Sequence, residues 1–415
     1  MKVFKFGGAS VSSAEAVRNS VNILNMYPEN KVLVISAMGK TTNALEVIVR
    51  HYFRQEPEVW SAFQAVKDYH DQIIAELWGE PVELPEVEAL FAWIENRIKG
   101  EPSLNFDYEY DQIVAFGELL STQIISLYFN KIGLRNRWVD ARICLKTDDQ
   151  YRESNLNWEL SAKLAKRAFT FDGENLYITQ GFIGGTLTNQ TTTFGREGSD
   201  YTAAILANLL DAEDVSIWKN VPGIMNADPD YFPGTQKLEE LSYKEAIELS
   251  YSGAKVIHPK TIKPLQNKNI PLLVKSFLEP EQPGTIIHSL GHSLDLIPVF
   301  IVKKNQALIT LSPNDFSFIG IENVSDIFAL VAKFRLKVGL IQQSAIDLSL
   351  AFDEPEQGIE PLISKLQQNF EVKYNTGLDL VTIRYYNQEA VDRIADARTI
   401  FIEQKSRRTC RLLLK

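Results

Sequence analysis

The stretch KVFKFGGASVSSAEAVRNSVNILNMYPENKVLVIS, residues 2–36, decides the fold class. Residues 2–6 read as a strand and end at Gly7-Gly8, so the strand enters a tight glycine turn. Ser12 with Glu15 forms a capping-box pattern, after which Ala14, Val17, Val21 and Leu24 recur at helical spacing. Residues 31–36 read as a second, fully buried strand ahead of the loop Ala37-Met38-Gly39-Lys40. Strand, helix and strand within so short a span favour a mostly parallel sheet in an α/β fold sandwiched by helices.

Outward from this unit, residues from about 42 to 131 carry an almost entirely helical signal, interrupted near Pro81, Pro85 and Pro102. Strands near 135–139, 175–180, 213–218 and 271–275 then alternate with helices near 155–168, 198–210 and 242–250. The α/β region is expected over residues 1–292, with 42–131 as a helical excursion. Beyond it the pattern changes. QALITLS at 306–312, a helix near 323–335, LKVGLIQQ at 336–343 and IDLSLAFD at 346–353 form one βαββ-type unit. DLVTIRYY at 379–386, a helix over 389–397, TIFIEQ and TCRLLLK form another. Residues 293–415 are therefore expected to be a pair of small α+β modules, about 304–375 and 376–415.

A chain of 415 residues is long enough for two or three domains. Its 43 Lys+Arg against 53 Asp+Glu leave a formal charge of −10, which argues against a general nucleic-acid or anionic-membrane binder. The charge is uneven. Residues 293–415 carry 15 basic and 15 acidic side chains, whereas residues 56–111 hold 14 acidic against three basic. Cys144 and Cys410 stand far apart with no CxxC, and the five histidines form no HxxxH or HExxH, so no protein-held metal is expected. The first residues do not form a signal peptide, because the apolar run breaks at once, and no window approaches a membrane span. A cytoplasmic enzyme is the expectation.

Five clusters carry chemistry. Lys5-Phe6-Gly7-Gly8-Ala9-Ser10 places glycine amides and a lysine after a strand, suited to an anion, though it matches neither a P-loop nor GxGxxG and a simple turn explains it equally. Ser36 to Asn43 lies at another strand's carboxyl end, where open α/β sheets bind ligands, and a helix N-cap is the competing reading. In Gly195-Arg196-Glu197-Gly198-Ser199-Asp200, capping accounts for Ser199 and Asp200 but not for Arg196, a natural clamp for carboxylate or phosphate. Glu118 in FGELLS (116–121) reads from pattern alone as an ordinary exposed carboxylate. Val221-Pro222-Gly223-Ile224 and GAKVIHP (253–259) mark turns, with Lys255 open between a nucleotide contact and a solvated side chain.

In this order and register the clusters resemble the aspartokinases, of the amino-acid kinase fold with C-terminal ACT modules, and the resemblance covers essentially the whole chain. It implies transfer of the γ-phosphoryl group of ATP to the β-carboxylate of L-aspartate, the entry step towards lysine, threonine and methionine, with Mg²⁺ arriving on the nucleotide. It also implies roles. Lys5 and the Gly7 and Gly8 amides hold the phosphoryl oxygens, and Asp200 orients Lys5. Arg196 pairs with the substrate's α-carboxylate and Glu118 with its α-ammonium. Ser36, Thr42, Phe182 and Ser199 complete the aspartate pocket, while Lys219, Asn220, Met225 and Lys255 face the nucleotide. ACT-type modules usually pair across subunits, so a homodimer is expected.

The sequence departs from the family pattern at three places. Ala9 replaces a threonine. The stretch from Trp218 to Met225 replaces a Thr-Asp pair and a tyrosine near the nucleotide, with Asn220 lacking the aspartate's charge and Lys219 adding one. Gly339 and Ala345 stand where an acidic pair usually meets an inhibitory lysine, so weak, absent or relocated lysine inhibition is expected. Competing readings are a kinase of another carboxylate, such as glutamate or N-acetylglutamate, and a catalytically silent amino-acid sensor.

Overall fold

A computed structural model describes residues 1–254, 257–291, 297–315, 317–355 and 358–415. The chain divides into two compact units. The first comprises residues 1–224, 237–247 and 256–292, and the second 225–236, 248–255 and 293–415.

The first unit is built on an eight-stranded sheet. Its strands are β1 (Lys2–Phe6), β2 (Lys31–Ile35), β3 (Arg137–Val139), β4 (Leu176–Gln180), β7 (Asp214–Lys219), β10 (Glu240–Ser242), β11 (Leu272–Ser276) and β12 (Thr285–His288). Between β4 and β7 lies a separate hairpin of β5 (Ile183–Gly185) and β6 (Thr191–Thr193), and short strands β8 (Ile224–Met225) and β9 (Lys237–Leu238) precede β10. The sheet order is β10-β12-β11-β7-β1-β2-β4-β3, parallel throughout except where β11 meets β12. The first strand thus sits mid-sheet, between β2 and β7, and is buried on both sides. Strand alternation sends Phe4 and Phe6 to one face, against Tyr27, Trp218 and Phe277. It sends Val3 and Lys5 to the other.

Helices α1 (Ala14–Asn25), α2 (Thr41–Phe53), α3 (Val59–Trp78), α4 (Pro85–Lys99), α5 (Phe106–Val114) and α6 (Phe116–Lys131) account for the first helical stretch. The cap of α1 is Ser13, whose side chain accepts the Ala16 N–H, and not the expected Ser12. Ser12 instead donates its hydroxyl to the Ala9 carbonyl, closing the 3-10 turn Gly8–Val11 that follows β1. The run Phe106–Lys131 is long and apolar enough to cross a membrane, yet 89% of its most apolar window is buried inside the protein. It comprises α5 and α6, and α6 is buried on nearly every side because α2, α3, α4, β2, β3 and β4 pack around it. Helices α7 (Ala141–Cys144), α8 (Trp158–Ala168), α9 (Gly198–Leu209), α10 (Tyr243–Ser252) and α11 (Pro259–Gln266) follow, and α9 packs on β1, β2 and β7.

The second unit is one antiparallel sheet of six strands. They are β13 (Val299–Pro313), β14 (Val338–Gln343), β15 (Leu348–Asp353), β16 (Phe370–Arg384), β17 (Ile400–Lys405) and β18 (Thr409–Leu414), in the order β14-β15-β13-β16-β18-β17. Three helices, α12 (Ile321–Lys333), α13 (Glu360–Leu366) and α14 (Gln388–Ala395), cover it. β13 and β16 each run the length of two lobes, with pairing that slips between Lys303 and Leu308. One lobe reads βαββαβ from β13 to β16. The other draws on the first half of β13, the second half of β16, then α14, β17 and β18, so the first lobe is nested within the second along the chain. Gln404 on one edge strand donates to the Ile341 carbonyl on the other at 2.6 Å, so the sheet curls towards closure around Leu308, Leu340, Leu378, Leu380 and Leu413.

Candidate functional site

Four loops meet at the carboxyl edge of the parallel strands, the edge at which open α/β sheets bind ligands. The turn after β1 and the loop after β2 interlock. Gly39 donates its N–H to the Gly8 carbonyl at 3.0 Å. A Cβ on Gly8 would lie 2.7 Å from the Ala37 carbonyl, so only glycine permits this approach. The start of α6 presses on the same loop, where a Cβ on Gly117 would lie 2.8 Å from Ala37 Cβ. The turn after β4 presses on α9, where Gly181 faces Ser199 and Gly198 faces Phe182. Phe182 holds a φ of 68° and donates its N–H to Thr202 Oγ1 at 3.0 Å.

Charge is concentrated where these loops converge. Lys5 Nζ lies 2.6 Å from Asp200 Oδ1, and Lys219 Nζ lies 3.4 Å from Asp200 Oδ2. All three come from the centre of the fold: Lys5 from β1, Lys219 from the end of β7 and Asp200 from the first turn of α9. Asp200 is only 2% exposed. Burial opposes its charge, but the Lys5 and Lys219 ammonium groups more than offset that, and its carboxyl is held below the usual range. The cluster carries a net positive charge in a low-dielectric setting, with a carboxylate that is committed to its cations.

Glu118 lies in the first turn of α6 and is 3% exposed. The exposed carboxylate read from pattern alone is therefore a buried one, because α6 is buried on every side and carries Glu118 inward. Its Oε1 accepts the Ala37 N–H at 3.2 Å, while its Oε2 is buried without a hydrogen-bond partner among the described residues. Burial pushes its pKa up to about 8, against the lowering effects of backbone hydrogen bonds and Lys5. A buried acceptor with an open lone pair calls for a donor that arrives from outside. Arg196 is exposed and has no ion-pair or hydrogen-bond partner among the described residues. It follows Gly195 (φ 77°) and precedes Glu197, a non-glycine residue at φ 55°. That local strain is the kind that clusters at ligand sites.

The remaining sequence-derived residues fall as follows. Ser36 accepts the Ser121 hydroxyl at its carbonyl, at 2.8 Å, and keeps its side chain half-buried at the loop. Thr42 is half-buried in the first turn of α2, and Ser199 is buried beside Asp200. Gly7 lies beside Lys5, whose Nζ is 3.5 Å from where a Cβ would stand. Asn220 is exposed just past β7. Met225 belongs to the second unit, and Lys255 lies outside the described residues. The contact of Lys219 with Asp200 was not foreseen, since the sequence placed Lys219 with the nucleotide. Among the described residues, His51, Glu56 and Glu58 are the one group of histidine and carboxylates close enough to share an ion. His51 lies in the last turn of α2 and the two glutamates just beyond it, and His51 already bonds Glu56 at 2.6 Å.

A model of the amino acid kinase family matches residues 1–276. Lysine-sensitive aspartokinase 3 of Escherichia coli K12 is 30% identical over 391 residues, covering 92% of this chain and 86% of that protein. Aspartokinase 1 of Arabidopsis thaliana, a chloroplastic protein, is 31% identical over 378 residues, covering 88% and 65%. Among solved structures, E. coli aspartokinase III in complex with lysine and aspartate (T-state) superposes with a TM-score of 0.85 at 28% identity, covering all of this chain and 95% of that one. The same enzyme in complex with aspartate and ADP (R-state) gives 0.83 at 26% identity, covering all of this chain and 96% of that one.

Proposed function

This chain belongs to the amino acid kinase family as an aspartokinase, and from that premise we propose how its own residues phosphorylate L-aspartate with ATP. The β-carboxylate of aspartate is ionised at neutral pH, so the nucleophile needs no general base. The work is to bring anions together and to stabilise charge spread over the transferring phosphoryl group. The observation that carries the reading is the Lys5–Asp200–Lys219 cluster beside a buried carboxylate with an open acceptor.

Lys5, oriented by Asp200, stabilises the transferring phosphoryl oxygens, and the Gly7 and Gly8 amides bind phosphate. Asp200 does not act as a base, because two ammonium groups hold it ionised. Lys219 adds a second cation on the nucleotide side, with Asn220, Met225 and Lys255 as further nucleotide contacts. Glu118 takes the substrate's α-ammonium and Arg196 its α-carboxylate, which together specify an α-amino acid. Ser36, Thr42, Phe182 and Ser199 shape the pocket around the side-chain carboxylate. Mg²⁺ would come with ATP, since Asp200 is committed to two lysines and Glu118 to the amino acid, and it would neutralise phosphate charge. We further propose a cytoplasmic homodimer formed through the C-terminal modules.

Hydroxylamine trapping of acyl phosphate with ATP and Mg²⁺ tests the reading. Product is expected with aspartate and not with glutamate or N-acetylglutamate. Signal only with glutamate, or with no amino acid, would overturn it.

A further inference from the structure

The clamp of Glu118 and Arg196 leaves the carboxylate of Asp111 unused, although Asp111 ties the two ends of that clamp together. It lies near the end of α5 with no solvent exposure. Its Oδ2 accepts the backbone N–H groups of Thr193 and Arg152, both at 2.9 Å, and its Oδ1 accepts the Thr193 hydroxyl at 2.8 Å. Gln112 continues the seam. Its amide donates to the Thr191 carbonyl at 2.8 Å and its carbonyl accepts the Thr191 N–H at 3.1 Å. Side chains of α5 therefore satisfy backbone groups along β6 that would otherwise be buried and unpaired.

Both directions from this seam lead to the site. Along the helix, Ala115 separates α5 from α6, and Glu118 follows in the first turn of α6. Along the hairpin, the chain runs from Thr193 through Gly195 to Arg196. A Cβ on Gly195 would lie 2.9 Å from the Arg152 carbonyl, so the second segment held by Asp111 packs against the glycine that turns the chain towards Arg196. The backbone alone sets where the Arg196 side chain begins, because the guanidinium has no partner among the described residues.

We propose that Asp111 is a positioning residue for substrate recognition, fixing the spacing between Glu118 and Arg196 and so the fit of an α-amino acid. The inference rests on the assignment of those two residues to the α-ammonium and α-carboxylate. A carboxylate suits the position better than an amide: two of its three partners are backbone N–H groups that only donate, and an Asn could keep both only through its one oxygen while the Thr193 hydroxyl turned to accept from its NH₂, so the charge-assisted bonds would be lost.

Kinetics of the full chain as Asp111→Asn, Thr193→Val, Arg196→Ala and the Asp111→Asn/Arg196→Ala double variant test it. Asp111→Asn is expected to raise KM for aspartate about tenfold and Thr193→Val about threefold, with KM for ATP changed less than about twofold. In the Arg196→Ala background, Asp111→Asn should lower kcat/KM for aspartate less than about twofold further, because its effect passes through Arg196. An equal rise in KM for both substrates, or the full effect retained in that background, would make Asp111 merely structural and overturn the proposal. If Arg196→Ala leaves KM for aspartate unchanged, the underlying assignment of Arg196 fails instead. Should Asp111→Asn not fold, Thr193→Val, which deletes one hydroxyl, supports the same comparison.

Discussion

Lys5 Nζ and Asp200 Oδ1 stand 2.6 Å apart in the interior of the first unit, joining the first strand to the first turn of α9. A carboxylate paired in this way cannot take protons at neutral pH, and an ammonium paired in this way has a fixed direction. The pair therefore aims a cation at an incoming phosphoryl group without reorganisation during the reaction.

Lys5→Met is expected to lower kcat about 100- to 1000-fold, the usual effect of removing one donor to developing charge. Asp200 keeps Lys219, so the loss of unfolding free energy should stay near or below about 3 kcal/mol and leave a folded protein. Acyl-phosphate trapping alongside urea denaturation checks both halves. Activity within tenfold of the parent would place the phosphoryl site elsewhere.

Lys219→Thr should act more weakly and on a different substrate. Its ammonium is 3.4 Å from Asp200 and partly exposed, against 2.6 Å for Lys5. We expect KM for ATP to rise about tenfold, with KM for aspartate little changed, since removing one charge near an anion costs on the order of 1.4 kcal/mol. Initial rates against each substrate separate these outcomes; a selective change in KM for aspartate would contradict the assignment.

Glu118 links aspartate binding to pH. Its pKa in the free protein is pushed up to about 8 by burial, whereas pairing with an α-ammonium requires the ionised form. Binding at pH 7 should therefore release close to one proton, and KM for aspartate should fall by up to about tenfold per pH unit as pH rises towards 8. Calorimetry in buffers of different ionisation enthalpy reads the proton directly, and Glu118→Gln should abolish the release. The sign for stability follows from the same shift. A carboxyl whose folded pKa exceeds its unfolded value contributes stability that is full below about 4.5 and is lost as pH rises through about 8. Denaturation midpoints of the ligand-free protein should thus favour Glu118→Gln over the parent increasingly as pH rises from about 4.5 to about 8, and level off above that. A parent and variant with parallel pH profiles would refute this.

Lysine should inhibit weakly or not at all. Gly339 lies at a register shift in β14, where an added Cβ would meet Leu380 Cδ2 at 3.3 Å. The position thus faces the apolar interior of the curled sheet and offers no carboxylate. Ala345, exposed beyond the strand, offers none either. A titration of activity with lysine checks this; strong saturable inhibition at low concentration would sink it.

Periodicity was sufficient to place β1, β2, β4, β7 and β11 and most helices within a few residues, because strands buried on both faces leave unbroken apolar runs between glycine turns. The hairpin of β5 and β6 escaped it. IGG and TTT carry no alternation and are held in part by Asp111 and Gln112 from a distant helix. The α13 helix and the first half of β16 escaped as well, the helix being short and that half-strand, EVKYNTG, mostly exposed and polar. Within the site, Arg196 stood out by residue type beside glycine turns, whereas the Lys5 loop read equally as a simple turn and Asp200 as a helix cap until the family resemblance gave them roles. Glu118 was legible only through the family resemblance, and Asp111 carried no signal at all, as one acidic residue among many in residues 56–111.

The sequence by itself determined the α/β class, the loops at the carboxyl edge of the sheet and the residue types that can bind phosphate and an amino acid. These are local properties, set by hydrophobic period and by the backbone freedom of glycine. Only the tertiary structure decided which carboxylates are buried, that two lysines share Asp200 and that Glu118 retains an open acceptor. Those facts depend on desolvation and on distances between segments far apart in the chain. A charged side chain reads the same on the surface as in the core until packing removes the water around it.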